Sequence, residues 1–537
     1  MEVNSLLIHK LVEEAAHAYA DQTAIVYKTE TLTLGALNER ADELALAILH
    51  KFPQEEVVGV STTRGIGMVV SVLATLKSGK AYLPLDPTYP TLRLEQIIAD
   101  SKVKVCLTNG TDEACFANLG MNVLRADLHH AFEPLPVRHR NTTACILYTS
   151  GSTGKPKGVC LGHAGLLNLL KWQQDHSVAG PGLQTLQFCH LSFDASFQEI
   201  FLPLITGGTI HLIDDSIRLD AGRLLDYIRQ NRIHRVFLPY VVLQYLAEAA
   251  DEEPGVPDNL LEIITGGELL KITPQIARLF TARPSCTLMN VYGPTEASIW
   301  VTTLKLKGDA QNWPQVPSIG QPITGADVLI LDEARQVVPA GEIGEIGICG
   351  VCLADGYLNS PELTDEAFVP WIHPQKGPVT LYQTGDLARY MPDGSIEFHG
   401  RKDDQVKIRG NRVELGEIEV ALTRQPGIRQ AVVVAREDTP GQKQLVAYVV
   451  TAEEYDLEEL RKGVEKQLPD FMVPSHFVPL EDFPRTVSGK IDKKQLPKPS
   501  NQRPALRNLY REPVLELEKQ LAVLWGTILG VEKVGLD

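Results

Sequence analysis

The stretch Leu147–Gly158, L-Y-T-S-G-S-T-G-K-P-K-G, constrains this chain more than any other. It places four hydroxyl side chains (Thr149, Ser150, Ser152, Thr153) directly behind Ala144–Leu147, an apolar run of strand type. Three glycines (Gly151, Gly154, Gly158) and two lysines (Lys155, Lys157) complete it. Glycine lets backbone approach closely, hydroxyls and N–H groups donate, and lysine supplies charge, so the composition suits polyphosphate oxygens. It is not a Walker A loop, because Pro156 stands where Ser or Thr must follow the lysine. A loop of this composition alone reads as a mobile Gly/Ser linker. The proline-locked G-K-P-K-G behind a buried strand argues for an anchored anion loop instead.

The 537 residues suggest roughly three to four domains. Hydrophobic content of 44% and charged content of 22% are those of an ordinary globular protein. A net charge of −16 argues against a general nucleic-acid binder. It does not forbid an anionic substrate held by local lysines and backbone N–H groups. Met1–Lys10 lacks the pattern of a signal peptide, and no apolar run reaches about 18 residues. Eight scattered cysteines fit reduced thiols, so a cytoplasmic location is expected. Cys349 and Cys352 form a C-x-x-C with no second such pair, which reads as packing. No H-E-x-x-H or G-x-S-x-G occurs, so zinc-protease and serine-esterase chemistry lack their marks.

Helices alternate with short apolar strands through the first half: strand Val57–Val60, helix Gly67–Lys77, helix Arg93–Asp100, strand Val103–Leu107. The alternation resumes with helix His163–Asp175, strand Thr209–Ile213, helix Ala221–Asn231, strand Arg235–Leu238 and strand Glu262–Thr265. This is the doubly wound α/β pattern. Gly325–Leu353 has short strands and turn glycines, which predicts a β-rich subdomain. Gly400–Gly416 is dense in charge and glycine, and a domain boundary is expected there. Helix Glu417–Thr423, strands Ile428–Ala435 and Gln444–Thr451, and helix Leu457–Leu468 then predict a compact α+β unit. Pro497–Pro513 reads as a linker. Val514–Gly530 reads as an amphipathic helix, with Leu517, Leu521, Leu524, Trp525 and Ile528 on one side.

Motifs in a fixed order carry a resemblance. They are L-T-L-G-A-L-N at 32–38, L-K-S-G-K-A-Y-L-P-L-D at 76–86, the loop above, F-D-A-S at 193–196 and N-V-Y-G-P-T-E at 290–296. G-E-I-G-I-C-G-V-C-L-A-D-G-Y-L at 344–358, Y-Q-T-G-D-L at 382–387 and G-R-K-D-D-Q-V-K-I-R-G-N-R-V-E-L-G-E-I-E at 400–419 follow. L-P-D-F-M-V-P at 468–474 and S-G-K-I-D-K at 488–493 close the series. Together they make the chain, nearly to residue 500, resemble the adenylation domains of nonribosomal peptide synthetases, within the adenylate-forming, AMP-binding superfamily.

The resemblance implies an α/β fold: a large N-terminal core over 1–400, with doubly wound subdomains and a small β-rich subdomain, then an α+β C-terminal lid over 401–500. Residues 501–537 would be a linker and the first helix of a carrier domain. The carrier motif L-G-G-x-S-L does not occur, so no phosphopantetheine arm of its own is expected.

The implied reaction is attack of an amino-acid carboxylate on the α-phosphorus of ATP, then transfer of the acyl group to a carrier's phosphopantetheine thiol. Such synthetases belong to antibiotic and other secondary metabolite biosynthesis. By the same resemblance Lys490 bridges the carboxylate and the α-phosphate, and Glu296 helps hold Mg²⁺. Thr295 and His190 join them as catalytic residues. Thr149, Ser150, Gly151, Ser152, Thr153, Gly154 and Lys155 cradle phosphates. Gly266, Gly267, Glu268, Val291, Tyr292 and Gly293 receive the adenine, and Asp386 with Arg401 the ribose. Asp403 is the hinge about which the lid exchanges Lys490 for the Gly410 region.

By the same resemblance Asp194 pairs with the substrate α-ammonium, which favours an α-amino acid. Its plainer role would be a helix cap. Ala195, Gln198, Phe237, Ile264, Gly266, Val291, Ile299 and Trp300 complete the pocket with Lys490. They are nearly all neutral, which disfavours a charged substrate side chain and favours a mainly apolar one. Gln198 either hydrogen-bonds a polar substrate or packs. Expected partners are a carrier domain, neighbouring synthetase modules and a small MbtH-like protein. The rivals are a stand-alone acyl-CoA ligase of the same fold and a nucleotide-binding scaffold without catalysis.

Overall fold

The structure is a computed structural model that describes residues 7–126, 142–151, 154–252, 255–403, 405–408, 410–439, 442–451, 456–485, 491–499, 511–529 and 534–536. Contacts divide the chain into two units, one of residues 1–151 and 155–413, the other of 152–154 and 414–537.

The first unit is built on two mainly parallel sheets and one antiparallel sheet. The largest has nine strands, whose central members Thr209–Leu212, Gln184–Gln187, Arg235–Phe237, Glu262–Gly266 and Thr287–Tyr292 run parallel. Their residues are buried almost without exception, as strands covered on both faces require. Helix Ala195–Thr206 packs beside them and is itself buried nearly all round. The second sheet orders Asn122–Arg125, Val105–Thr108, Val57–Ser61, Ala81–Leu85, Thr143–Thr149 and Lys157–Gly162. Its last pair is antiparallel, and the turn of that hairpin is the glycine-lysine loop. Neither sheet follows chain order, which is the doubly wound arrangement the alternation predicts.

The third sheet is antiparallel, from Ala326–Leu331 through Gly344–Gly350 and Gly377–Tyr390 to Phe368–His373, with Ile396–Arg401 on its long strand. It corresponds to the β-rich subdomain. Cys349 and Cys352 are buried free thiols within it, both pushed up to about 12 by burial. Among the described residues no cluster of metal-ligating side chains occurs. No described helix is long and apolar enough to cross a membrane.

The second unit holds helix Leu415–Thr423 and a three-stranded sheet of Ile428–Thr439, Gln442–Thr451 and His476–Leu480. The first pair is antiparallel and the second parallel. Val432, Val446, Tyr448, Val450, Phe483 and Leu496 form its core. The helix expected over 457–468 stops at Glu465, ahead of Pro469. The last helix, Glu516–Leu529, leaves Leu517, Leu521, Leu524 and Trp525 exposed. The side chain of Ile528 lies outside the described residues.

Candidate active site

The parallel strands of the large sheet deliver the site residues at their carboxyl ends, where open α/β sheets bind ligands. Phe237, Gly266 and Tyr292 each end one such strand. Gly266 must be glycine for a structural reason: a Cβ there would stand 2.7 Å from the carbonyl oxygen of Val291 on the paired strand. Gly267 follows in the left-handed region at φ +85°. Gly293 answers to the same logic, since its Cβ would lie 2.4 Å from the Cα of Trp300.

Glu296 sits in the 3₁₀ turn Thr295–Ala297 and is fully buried. Its Oε1 accepts from Lys157 Nζ at 3.2 Å and from the Tyr357 hydroxyl at 2.9 Å. Its Oε2 accepts from Arg412 Nη1 at 2.7 Å. Burial opposes ionisation, but the Arg412 guanidinium and Lys157 ammonium outweigh it and hold the carboxyl well below its usual range. Lys157 also lies over the Tyr357 ring, 4.3 Å from its centre.

Asp386 is buried and bonded on both oxygens. Tyr292 donates its hydroxyl to Oδ2 at 2.5 Å, and Arg401 Nη1 donates to Oδ1 at 2.7 Å. Arg401 is held in turn by a fork on Asp403, at 2.6 and 2.7 Å. The Tyr292 ring lies 6.2 Å from that of Phe398. Strands Gln405–Ile408 and Asn411–Glu414 pair as a short ribbon, and Gly410 N between them donates to Glu268 Oε1 at 2.8 Å.

Asp194 precedes helix Ala195–Thr206 without a side-chain cap bond to it. Its carboxylate instead accepts from the Thr295 hydroxyl at 2.6 Å. Burial raises its pKa, opposed by the Thr295 bond and by the charge of the Lys407 ammonium.

His190 places Nε2 3.3 Å from Asp86 and Nδ1 3.1 Å from the Ser192 hydroxyl. Burial lowers its pKa despite Asp86, so the ring is neutral near pH 7. In the loop, the Ser150 hydroxyl donates to the Arg412 carbonyl at 2.9 Å. Thr149 Oγ1 is buried and has no partner among the described residues, and Lys155 is exposed. Gly151 closes the hairpin so tightly that a Cβ would lie 2.0 Å from the Lys155 carbonyl. Ser152, Thr153 and Lys490 lie outside the described residues.

Phe237 and Trp300 stack at 6.4 Å with their planes 15° apart, and Phe237 pairs with Ile264 across the sheet. Trp300 is delivered by two left-handed residues, Ser298 at φ 56° and Ile299 at φ 84°. A β-branched residue there is strained. Gln198, itself neutral, is hydrogen-bonded within the protein. Its Oε1 accepts from the guanidinium of Arg235, which is fully buried and paired with Glu262.

Several residues at the site escaped sequence reasoning. Lys157 and Arg412 lie in quoted motifs, but spacing alone could not pair them with a glutamate more than a hundred residues away. Lys407 is hidden the same way. Arg235 carried one signal, a cation opening the buried strand R-V-F opposite the glutamate that opens E-I-I-T-G.

A family model described as AMP-binding enzyme matches residues 12–358, and one described as AMP-binding enzyme C-terminal domain matches 417–490. Gramicidin S synthase 2 of Brevibacillus brevis is 36% identical over 536 aligned residues, 99% of this chain and 12% of that protein. Bacitracin synthase 3 of Bacillus licheniformis is 39% identical over 535, covering 99% and 8%. The chain thus spans only about a tenth of the length of these curated relatives. Among solved structures, a holo synthetase protein containing adenylation and PCP domains, bound to a vinylsulfonamide inhibitor, matches with TM-score 0.83 and 28% identity, covering 99% of this chain and 88% of that one. A four-domain nonribosomal peptide synthetase bound to AMP and glycine matches with TM-score 0.67 and 31% identity, covering 100% and 39%.

Proposed function

The chain belongs to the AMP-binding enzyme family, and from that premise we propose that it activates an amino acid as its adenylate and passes the acyl group to the phosphopantetheine thiol of a carrier domain. Asp194 is the observation that carries the amino-acid part. Among the described side chains its carboxylate accepts from the Thr295 hydroxyl alone, beside the Ala195 N–H and in the field of Lys407, and an α-ammonium would pair with it directly.

In this reading the substrate carboxylate lies between Asp194 and the Glu296 cluster, with Thr295 bridging the two regions through its bond to Asp194. Asp386 accepts the ribose hydroxyls on lone pairs left over from Tyr292 and Arg401. The orphaned Thr149 hydroxyl donates to phosphate. Phosphoryl transfer needs positioning and charge neutralisation more than covalent help. Lys157, Arg412 and Lys490 supply that charge, with Lys490 at the reacting carboxylate in the first half-reaction and withdrawn in the second as the 401–500 lid turns about Asp403. Neutral His190 orients by hydrogen bonding.

The family implies Mg²⁺ on Glu296. In this arrangement the residues do not fit it: a guanidinium and an ammonium already take the two carboxylate oxygens, and no second described acid joins them. No step is routed through the metal.

The partners in this reading are the carrier and neighbouring modules of a longer cytoplasmic synthetase. Co-purification with a small MbtH-like protein tests a further one. The function itself is tested by exchange of pyrophosphate into ATP across a panel of acids. Exchange with amino acids supports the reading. Exchange only with fatty or aryl acids replaces it with a stand-alone ligase, and none with any acid leaves a binding protein.

A further inference from the structure

Behind Asp194 lies a buried polar cluster that a pocket for an apolar side chain has no use for. Gln198 stands one turn beyond Asp194 on the same face of helix Ala195–Thr206. Arg235 Nη2 meets its carboxamide, and an arginine can only donate, so the atom facing Arg235 is the oxygen. Gln173 Nε2 donates to that same oxygen at 3.2 Å. Both amides are thereby fixed in orientation. Gln198 Nε2 and Gln173 Oε1 face away from these bonds, buried and without a partner among the described residues.

Two more buried donors lack a partner among the described residues. Arg235 Nη1 has no acceptor, although Nε bonds Ser177 at 3.1 Å and Glu262 at 3.2 Å. Trp300 Nε1 is buried and unpaired, its ring stacked on Phe237, which lies two residues along the same strand face from Arg235. Buried polar atoms are nearly always bonded, so the unmet amide atoms of Gln198 and Gln173, two side chains that bond each other, point to a ligand. Gln198 Nε2 as donor and Gln173 Oε1 as acceptor match a carboxamide, whose oxygen accepts and whose NH₂ donates. A carboxylate would leave Gln173 Oε1 facing an acceptor and would add an anion to an Arg235–Glu262 pair that is already neutral.

We propose that the side-chain end of this pocket recognises an amino acid bearing a terminal carboxamide, with Gln198 the selecting residue and Arg235 a positioning residue that acts through it. The inference rests on the amino-acid-activating reading above.

The experiment is amino-acid-dependent pyrophosphate exchange by the whole chain with glutamine, asparagine, glutamate, methionine and norleucine. A carboxamide acid should exceed norleucine in kcat/KM roughly 10- to 100-fold, the range set by leaving buried polar groups unsatisfied. Gln198→Leu should bring that ratio to about 1 or below. Arg235→Met combined with Glu262→Gln removes the buried pair together. It should cut the ratio roughly 10-fold through the KM for the amino acid and not that for ATP. Preference for methionine or norleucine in the wild type overturns the inference and leaves amino-acid activation standing. So does preference for glutamate, which would make Arg235 a direct carboxylate partner. A ratio unmoved by Gln198→Leu overturns the selecting role, and one unmoved in the paired variant overturns the positioning role. Exchange with no amino acid, but with fatty or aryl acids, overturns the amino-acid reading itself.

Discussion

Arg412 Nη1 donates to Oε2 of Glu296 over 2.7 Å, and this contact ties the 405–413 ribbon to the 3₁₀ turn at the centre of the site. Removing one partner of a buried pair typically costs about 3–5 kcal/mol, because the other stays charged. Lys157 remains on Glu296, so Arg412→Ala should cost less, about 2 kcal/mol. Arg412→Ala with Glu296→Gln should recover part of that. Urea unfolding of the single and double variants measures it, and strictly additive losses would deny the coupling.

Lys490→Ala should lower adenylate formation by roughly 10²–10³, the loss typical of one transition-state electrostatic donor. Acyl transfer from a preformed adenylate should suffer far less. Single-turnover assays of the two half-reactions decide this. Equal losses in both would rule out a lysine that serves only the first.

Asp194→Ala should lower kcat/KM for the preferred amino acid severely, while KM for ATP changes little. The gap between that amino acid and its des-amino analogue should narrow, since the analogue no longer faces an unpaired anion. Asp194 makes no side-chain cap bond to its helix, so the effect should not appear as lost stability. An unchanged ratio between the two substrates in wild type and variant would remove the amine-anchor role.

Glu199 is fully buried, and burial first of all raises its carboxyl to about 7 from an ordinary 4.5, against bonds from Cys189 N and Gln187. The folded state therefore keeps a proton that the unfolded state releases near pH 4.5. Stability from this group is full below 4.5 and falls as pH rises to about 7, by an amount on the order of 3 kcal/mol. Glu199→Gln should lack that fall. The difference in Tm, variant minus wild type, should grow from pH 4.5 to 7, and a flat difference would refute it.

Much of the architecture was legible because period and punctuation agree. The alternation through 57–107 and 163–265 foretold a doubly wound α/β core, and the short strands and turn glycines of 325–353 foretold a β-rich subdomain, whose sheet is antiparallel. Tyr292, Asp386 and Arg401 were legible as site residues only through motifs, and the structure brings them within direct bonds of one another. Arg235, Lys157 and Arg412 were not legible in role, because an ion pair across a sheet or between distant turns leaves no local spacing to read. Gln198 was legible as a position but ambiguous in chemistry. Only the guanidinium behind it fixes which end of its amide faces the cluster.

Ile299 is held at φ 84° so that Trp300 can stand against Phe237. A glycine or asparagine there would relieve the backbone but empty the space that the almost fully buried Ile299 side chain fills in the core. The strain is locked in by packing, so comfort for the backbone at this one residue comes only with a hole beside Trp300.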